Sequence, residues 1–69
     1  MPVPMHPVTS TNLSTVGWQD GTLYITFRSG KKYKYLNVPE FMGRDILQAS
    51  SPGNYFNKNV KGYFTEEKI

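Results

Sequence analysis

The chain contains no cysteine. Disulfides therefore cannot reinforce it, and no thiolate metal site can form. Histidine is almost as scarce, with His6 alone in a proline-rich N-terminal stretch. A general base needs a partner and a rigid support, and that stretch offers neither. Asp20 and Asp45 form no spaced carboxylate pair, and the ligand sets of structural and catalytic metals are missing. Catalysis, a cofactor and a bound metal are therefore not expected. No apolar run approaches the roughly 20 residues of a membrane span. The opening "MPVPMHPVTS" also lacks the charged start and continuous apolar stretch of a signal peptide. These absences set the expectation of a cytoplasmic, reducing environment and no membrane.

With 69 residues the chain fits one domain. A domain this small buries only about 60% of its unfolded surface, so its core is thin. One tryptophan, five tyrosines and four phenylalanines must carry much of the burial. The net charge of +3 is mildly basic, which suits a nucleic acid or an acidic protein partner and equally suits plain solubility.

Residues 1–12 hold Pro2, Pro4 and Pro7, followed by polar Thr9, Ser10, Thr11 and Asn12. They read as an extended arm, pinned at its end to a sheet edge. The domain proper spans residues 13–64, and residues 65–69 read as a C-terminal tail. "STVGWQ" and "TLYITF" flank Asp20-Gly21, a strong two-residue hairpin signal. A two-residue loop pairs Gln19 with Thr22, Trp18 with Leu23, and Val16 with Ile25. Val16, Trp18, Leu23, Ile25 and Phe27 then share one face.

"RSGKKYKY" poses a question of register. A two-residue Ser29-Gly30 loop would set Lys32 and Lys34 among the apolar side chains. A three-residue Arg28-Ser29-Gly30 loop shifts the pairing by one and sets Ile25 opposite Tyr33 and Leu23 opposite Tyr35. Gly30 then takes the left-handed position of a G1 bulge, which glycine favours. A one-residue slip turns every side chain over, so burial selects the bulged register. Tyr33 and Tyr35 then line the core, in preference to the alternative that they stack on bases as in sheet-based RNA modules, and Lys32 and Lys34 lie on the other face with Tyr24, Thr26 and Arg28. Leu36 has the parity of the outer face.

"NVPEFMGRDILQAS" reads as a helix with Pro39 at its first position and Glu40 complementing the helix dipole. Phe41 or Met42, with Ile46 and Ala49, gives its apolar face. Gly43 weakens that helix by up to ~1 kcal/mol relative to alanine. "SPGNYFNKNV" restarts with Ser51 as N-cap and Pro52 at the first position. Tyr55, Phe56 and Val60 face the sheet, Gly62 ends the helix, and Tyr63 and Phe64 dock against the domain. The expected fold is α+β: a three-stranded antiparallel β-meander with two short C-terminal helices packed on one face.

These elements, in this order, resemble the KTSC domain. The resemblance rests on "PVTSTNLSTVGW", on "LYITFRSGKKYKY" with the central Y-x-Y as Tyr33 and Tyr35, and on "NVPEFMGRDILQASSPGNYFNKNVKGY". It runs from about Pro7 to Phe64. Trp18 stands where the family often has tyrosine. The family occurs at the C-terminus of some lysyl-tRNA synthetases and as small stand-alone bacterial and phage proteins. The resemblance implies no established activity. RNA binding is suggested for the family from the synthetase association, by analogy.

Three surfaces are candidates for binding. Tyr24, Arg28, Lys32 and Lys34 set a tyrosine among three cations, which suits phosphates and one stacked base. The same residues also make an ordinary solvated sheet face. Lys58 and Lys61 are candidates to extend this patch. "SSPGNYFNKN" offers free helix-start amides to an anion, or is simply a helix start. The expected function is a non-enzymatic module for RNA or another nucleic acid. The alternative is a protein-interaction module engaging a host or cellular protein. Free strand edges would also admit an edge-strand dimer.

Overall fold

The computed structural model describes residues 3–69. Met1 and Pro2 of the expected arm lie outside the described residues. The chain forms β1 (His6–Pro7), β2 (Leu13–Gln19), β3 (Thr22–Phe27), β4 (Lys32–Leu36), α1 (Glu40–Gln48), α2 (Pro52–Asn59) and β5 (Thr65–Lys68). The strands make one antiparallel sheet in sequence order, β1-β2-β3-β4-β5. The fold is α+β, with both helices on one face, as the sequence implies.

The expected strand count was too low: five strands are present, not three. β1 forms inside the arm, where His6 pairs with Val16 and Pro7 with Thr15. Proline is tolerated there because β1 is an edge strand. β5 forms from the expected tail and pairs Tyr33 with Lys68 and Tyr35 with Glu66. All four residues of β5 are exposed, so no apolar pattern announces it. Its warrant is the backbone of β4, whose N–H and C=O groups would otherwise face solvent unpaired.

Both hairpins take the expected register. Asp20 (φ 52°) and Gly21 (φ 81°) both sit at positive φ, as a type I′ turn requires, and Trp18 pairs with Leu23. Gly30 has φ 93°, Phe27 N–H donates to the Lys31 carbonyl at 2.9 Å, and Leu23 pairs with Tyr35. Strand β2 adds an irregularity that alternation does not reveal. The register shifts between Leu13 and Thr15, so that Leu13 and Val16 are both fully buried. A bulge turns Leu13 inward, where strict alternation would send it out.

The core joins Leu13, Val16, Leu23, Ile25 and Tyr35 of the sheet to Val38, Ile46, Phe56 and Val60. Phe56 meets Phe27 and Tyr35 edge-on at centroid distances of 5.6 and 5.3 Å. Trp18 packs at the rim of this core and donates its Nε1–H to the Val38 carbonyl at 2.8 Å. Gly43 sits where α1 crosses Trp18. A Cβ there would lie 2.8 Å from the Trp18 Cβ, so the glycine permits the close approach that seats the helix.

Smaller expectations need adjustment. Pro39 caps α1 from just outside it, and Met42 packs on the core while Phe41 is exposed. Ser51 and Pro52 start α2 as expected, but the helix ends at Asn59, before Gly62. Phe64 packs on the core, whereas Tyr63 is 72% exposed. The turn through Gly62 (φ 85°) directs Tyr63 outward. Among the described residues, no helix is long and apolar enough to cross a membrane.

Candidate functional site

The outer sheet face, opposite the helices, holds part of the basic patch. Tyr24 pairs with Lys34 and Thr26 with Lys32, so β3 and β4 bring these four side chains together. Two features narrow the face. First, β5 sets Glu67 beside Lys34, with Lys34 Nζ 3.5 Å from Glu67 Oε1. Both groups are substantially exposed, so the pair is weak and readily displaced. Second, the N-terminal segment covers Gly17, the partner of Tyr24. A Cβ at Gly17 would stand 2.5 Å from Met5 Sδ and 2.8 Å from the Pro4 carbonyl oxygen. Residues 3–5 therefore close the platform on its β2 side.

Arg28 leaves this face. It lies past the end of β3, its N–H donates to the Asn12 carbonyl at 2.9 Å, and its Nε–H donates to the Ser10 carbonyl. It belongs to the end of the sheet. Lys58 on α2 and Lys61 in the turn after it are exposed on the helical side, across the sheet from Tyr24. They do not extend the outer patch.

The end of the sheet at the β3–β4 turn collects cations. Arg28 and Lys31 come from the turn, Lys32 begins β4, and β5 adds Lys68 opposite Tyr33. The Ile69 N–H donates to the Lys32 carbonyl at 3.0 Å, which seats the last residues here. Glu66 and Glu67 precede Lys68 on β5, and Glu67 is engaged by Lys34. Asp20 is in the opposite turn, and Glu40 starts α1 near that turn, because Val38 N–H donates to the Gly21 carbonyl at 2.8 Å. Neither Lys31 nor Lys68 was among the residues expected from the sequence. The bulged register places the first, and the second follows only from a strand that was not foreseen.

Beside the cationic end lies a cleft of about 390 Å³ between residues 9–12 and residues 50–57. Ser10 Oγ accepts from the N–H groups of Asn12 (3.1 Å) and Leu13 (3.2 Å), which turns the arm into β2. Gly53 of α2 packs on this loop, with Ser10 Oγ 3.0 Å from where its Cβ would stand. The side chain of Ser51 makes no capping hydrogen bond.

A smaller groove of about 170 Å³ lies where His6 and Trp18 meet Glu40, Gly43, Arg44 and Leu47. His6 is exposed on edge strand β1. Among the described residues, no three metal-ligating side chains cluster. Two tyrosines titrate abnormally. Burial, then the Glu66 carboxylate, push the Tyr35 hydroxyl well above its ordinary range. Burial and Asp45 raise Tyr55, whose hydroxyl donates to Asp45 Oδ2 at 3.4 Å.

Comparison with known proteins agrees with this architecture. The KTSC domain family model matches residues 9–64. The lysine–tRNA ligase of Nostoc punctiforme is 44% identical over 48 residues, and that of Nostoc sp. strain PCC 7120 is 40% identical over the same length. Each match covers 70% of this chain and 9% of the ligase, so the chain spans a small part of these relatives. The crystal structure of a KTSC domain protein from Yersinia pestis superposes with a TM-score of 0.90 at 34% identity, covering 99% of both chains. The chain therefore belongs to the KTSC domain family.

Proposed function

We infer that the protein is a small, non-enzymatic cytoplasmic module that binds single-stranded RNA. The observation that carries this reading is the gathering of Arg28, Lys31, Lys32 and Lys68 at one end of the sheet, away from the acidic turn. Phosphates supply the complementary charge, and the exposed part of Tyr24 offers a stacking surface on the adjoining face. The sequence shared with two lysine–tRNA ligases, which act with an RNA, supports the same reading.

The test is a fluorescence-anisotropy titration of a short single-stranded RNA at several salt concentrations. Changing Lys31 and Lys32 to glutamine should weaken binding and make the salt slope shallower by about 0.7 for each phosphate no longer neutralised. No binding by the wild type at low salt would remove the RNA reading. One feature favours a second reading: β5 is exposed along its whole length, and its outer edge is unpaired among the described residues. A cellular protein, a host protein or a second copy could add a strand there. Sedimentation with and without nuclease treatment separates a strand-paired partner from an RNA-bridged one.

A further inference from the structure

The cleft between residues 9–12 and residues 50–57 is left unassigned by a reading based on phosphates and charge. Its volume of about 390 Å³ falls within the range of small-ligand sites. Its lining is made of hydroxyls, amides and one glycine, with no ionisable side chain. Among the described residues, the side chains of Thr9, Asn12, Ser51, Asn54 and Asn57 make no hydrogen bond to the protein. An apolar ligand would leave these groups unmatched, and a bare ion would meet no countercharge. The fitting solute is neutral and carries hydrogen-bond donors and acceptors. A nucleobase carries both on one edge, and an asparagine amide presents a donor and an acceptor side by side to meet that edge.

A cation bonded to the cleft wall adds the second half of a nucleotide. Arg28 Nε–H is tied to the carbonyl of Ser10, a residue of the cleft wall. Its terminal nitrogens have no protein partner among the described residues. A guanidinium anchored through one nitrogen keeps its remaining donors for a phosphate at low entropic cost. Gly53 meets Ser10 at the seam of the two walls, which closes the floor. We propose that this cleft holds the base of an unpaired nucleotide, with its phosphate on Arg28. The proposal rests on the RNA reading and deepens it: the cationic end supplies affinity, and the cleft supplies base preference.

The test uses the double variant Asn54→Ala/Asn57→Ala in the full chain. Both positions are exposed on α2, where alanine favours the helix, so folding is retained and is checked by the melting curve. Anisotropy is measured with oligoadenylate, oligocytidylate and oligouridylate. The wild type should rank them over about tenfold, and the double variant should bind them within about twofold, with an unchanged salt slope. Equal binding of all three by the wild type, or an unchanged ranking in the variant, overturns the cleft while leaving RNA binding intact. If the wild type binds none of them, the RNA reading falls by itself. The cleft is then judged by titrating adenosine and cytidine monophosphates against the amide NMR spectrum. Shifts confined to residues 9–12 and 50–57, and absent from the double variant, support it; no shifts there overturn it.

Discussion

The hydroxyl of Tyr35 donates to Glu66 Oε1 at 2.5 Å, across the junction of β4 and β5. The ring is fully buried against Phe56, and the hydroxyl emerges at the margin of the core to meet an exposed carboxylate. The second tyrosine of Y-x-Y thus has two functions: it fills the core, and it fastens a strand that contributes nothing to the core.

Removing that fastening should be measurable. Glu66→Ala and Tyr35→Phe should each lower stability by about 1–2 kcal/mol, since the bond involves a charged acceptor. Their double variant should cost clearly less than the sum, because both remove one interaction. Tyr35→Ala should cost about 3–5 kcal/mol by emptying the core. Urea titrations of the four variants decide; additive effects would mean that the two groups act independently.

The same hydrogen bond sets a pH dependence. Tyr35 is held protonated in the folded chain above the pH at which it ionises when unfolded, near 10. Its stabilisation is fully present below about pH 10 and declines as pH rises above it, because the unfolded state then binds fewer protons. Unfolding curves between neutral and strongly alkaline pH should show this decline, and Tyr35→Phe should reduce its slope. Equal slopes in both proteins would assign the decline to other groups.

Gly43→Ala should destabilise the protein although alanine is the better helix former. Propensity favours the change by up to about 1 kcal/mol. The new methyl, however, meets Trp18 Cβ at 2.8 Å and Cγ at 3.0 Å, and overpacking of this kind costs about 1–3 kcal/mol. The helix must move away, which should weaken the Trp18 bond to the Val38 carbonyl and shift the tryptophan fluorescence. A higher melting temperature in Gly43→Ala would show that the approach is looser than these distances imply.

Gly30→Val isolates a purely backbone effect. A Cβ at Gly30 meets nothing within 4 Å, yet φ is 93°. The cost should be about 1–3 kcal/mol, from strain alone. A wild-type melting curve for this variant would mean that the turn can reach another conformation at no cost.

Lys32→Gln with Lys34→Gln should change stability by about 0.5 kcal/mol or less, because both groups are solvated and the Lys34–Glu67 pair is exposed. Lys34→Glu is a poorer choice of variant, since it would face Glu67 with like charge. RNA affinity should fall in the double glutamine variant, and Tyr24→Ala should weaken binding by about 1–3 kcal/mol with little change in salt slope. Unchanged affinity in both would remove the outer face from the interface.

The two hairpins and their registers were legible because each turn carries a residue that only one geometry tolerates. Asp20-Gly21 fixes the first, and the penalty for burying Lys32 and Lys34 fixes the second. β5 was illegible for a physical reason: "TEEK" buries nothing, and it is a strand only because β4 offers it a backbone. The burial of Leu13 was not legible because one bulge in β2 inverts the alternation. Gly43 read as a defect in a helix until Trp18 was placed against it. In the candidate site, Tyr24, Lys32 and Lys34 followed from the register, whereas the departure of Arg28 to Ser10 and the arrival of Glu67 beside Lys34 depend on segments distant in sequence.

The sequential antiparallel order β1-β2-β3-β4-β5 has a consequence for how the fold is wired into longer chains. β1 and β5 run in the same direction on opposite edges. Residues 3–5 lie over Gly17, while Ile69 lies beside Lys32 at the other end of the sheet. The first described residues thus cross the outer face of the sheet, and the last lie at the end that carries the β3–β4 turn. Such a module serves well as a bead threaded in line, or as a terminal cap on a larger protein, and is poorly shaped for insertion into a surface loop, which requires neighbouring ends.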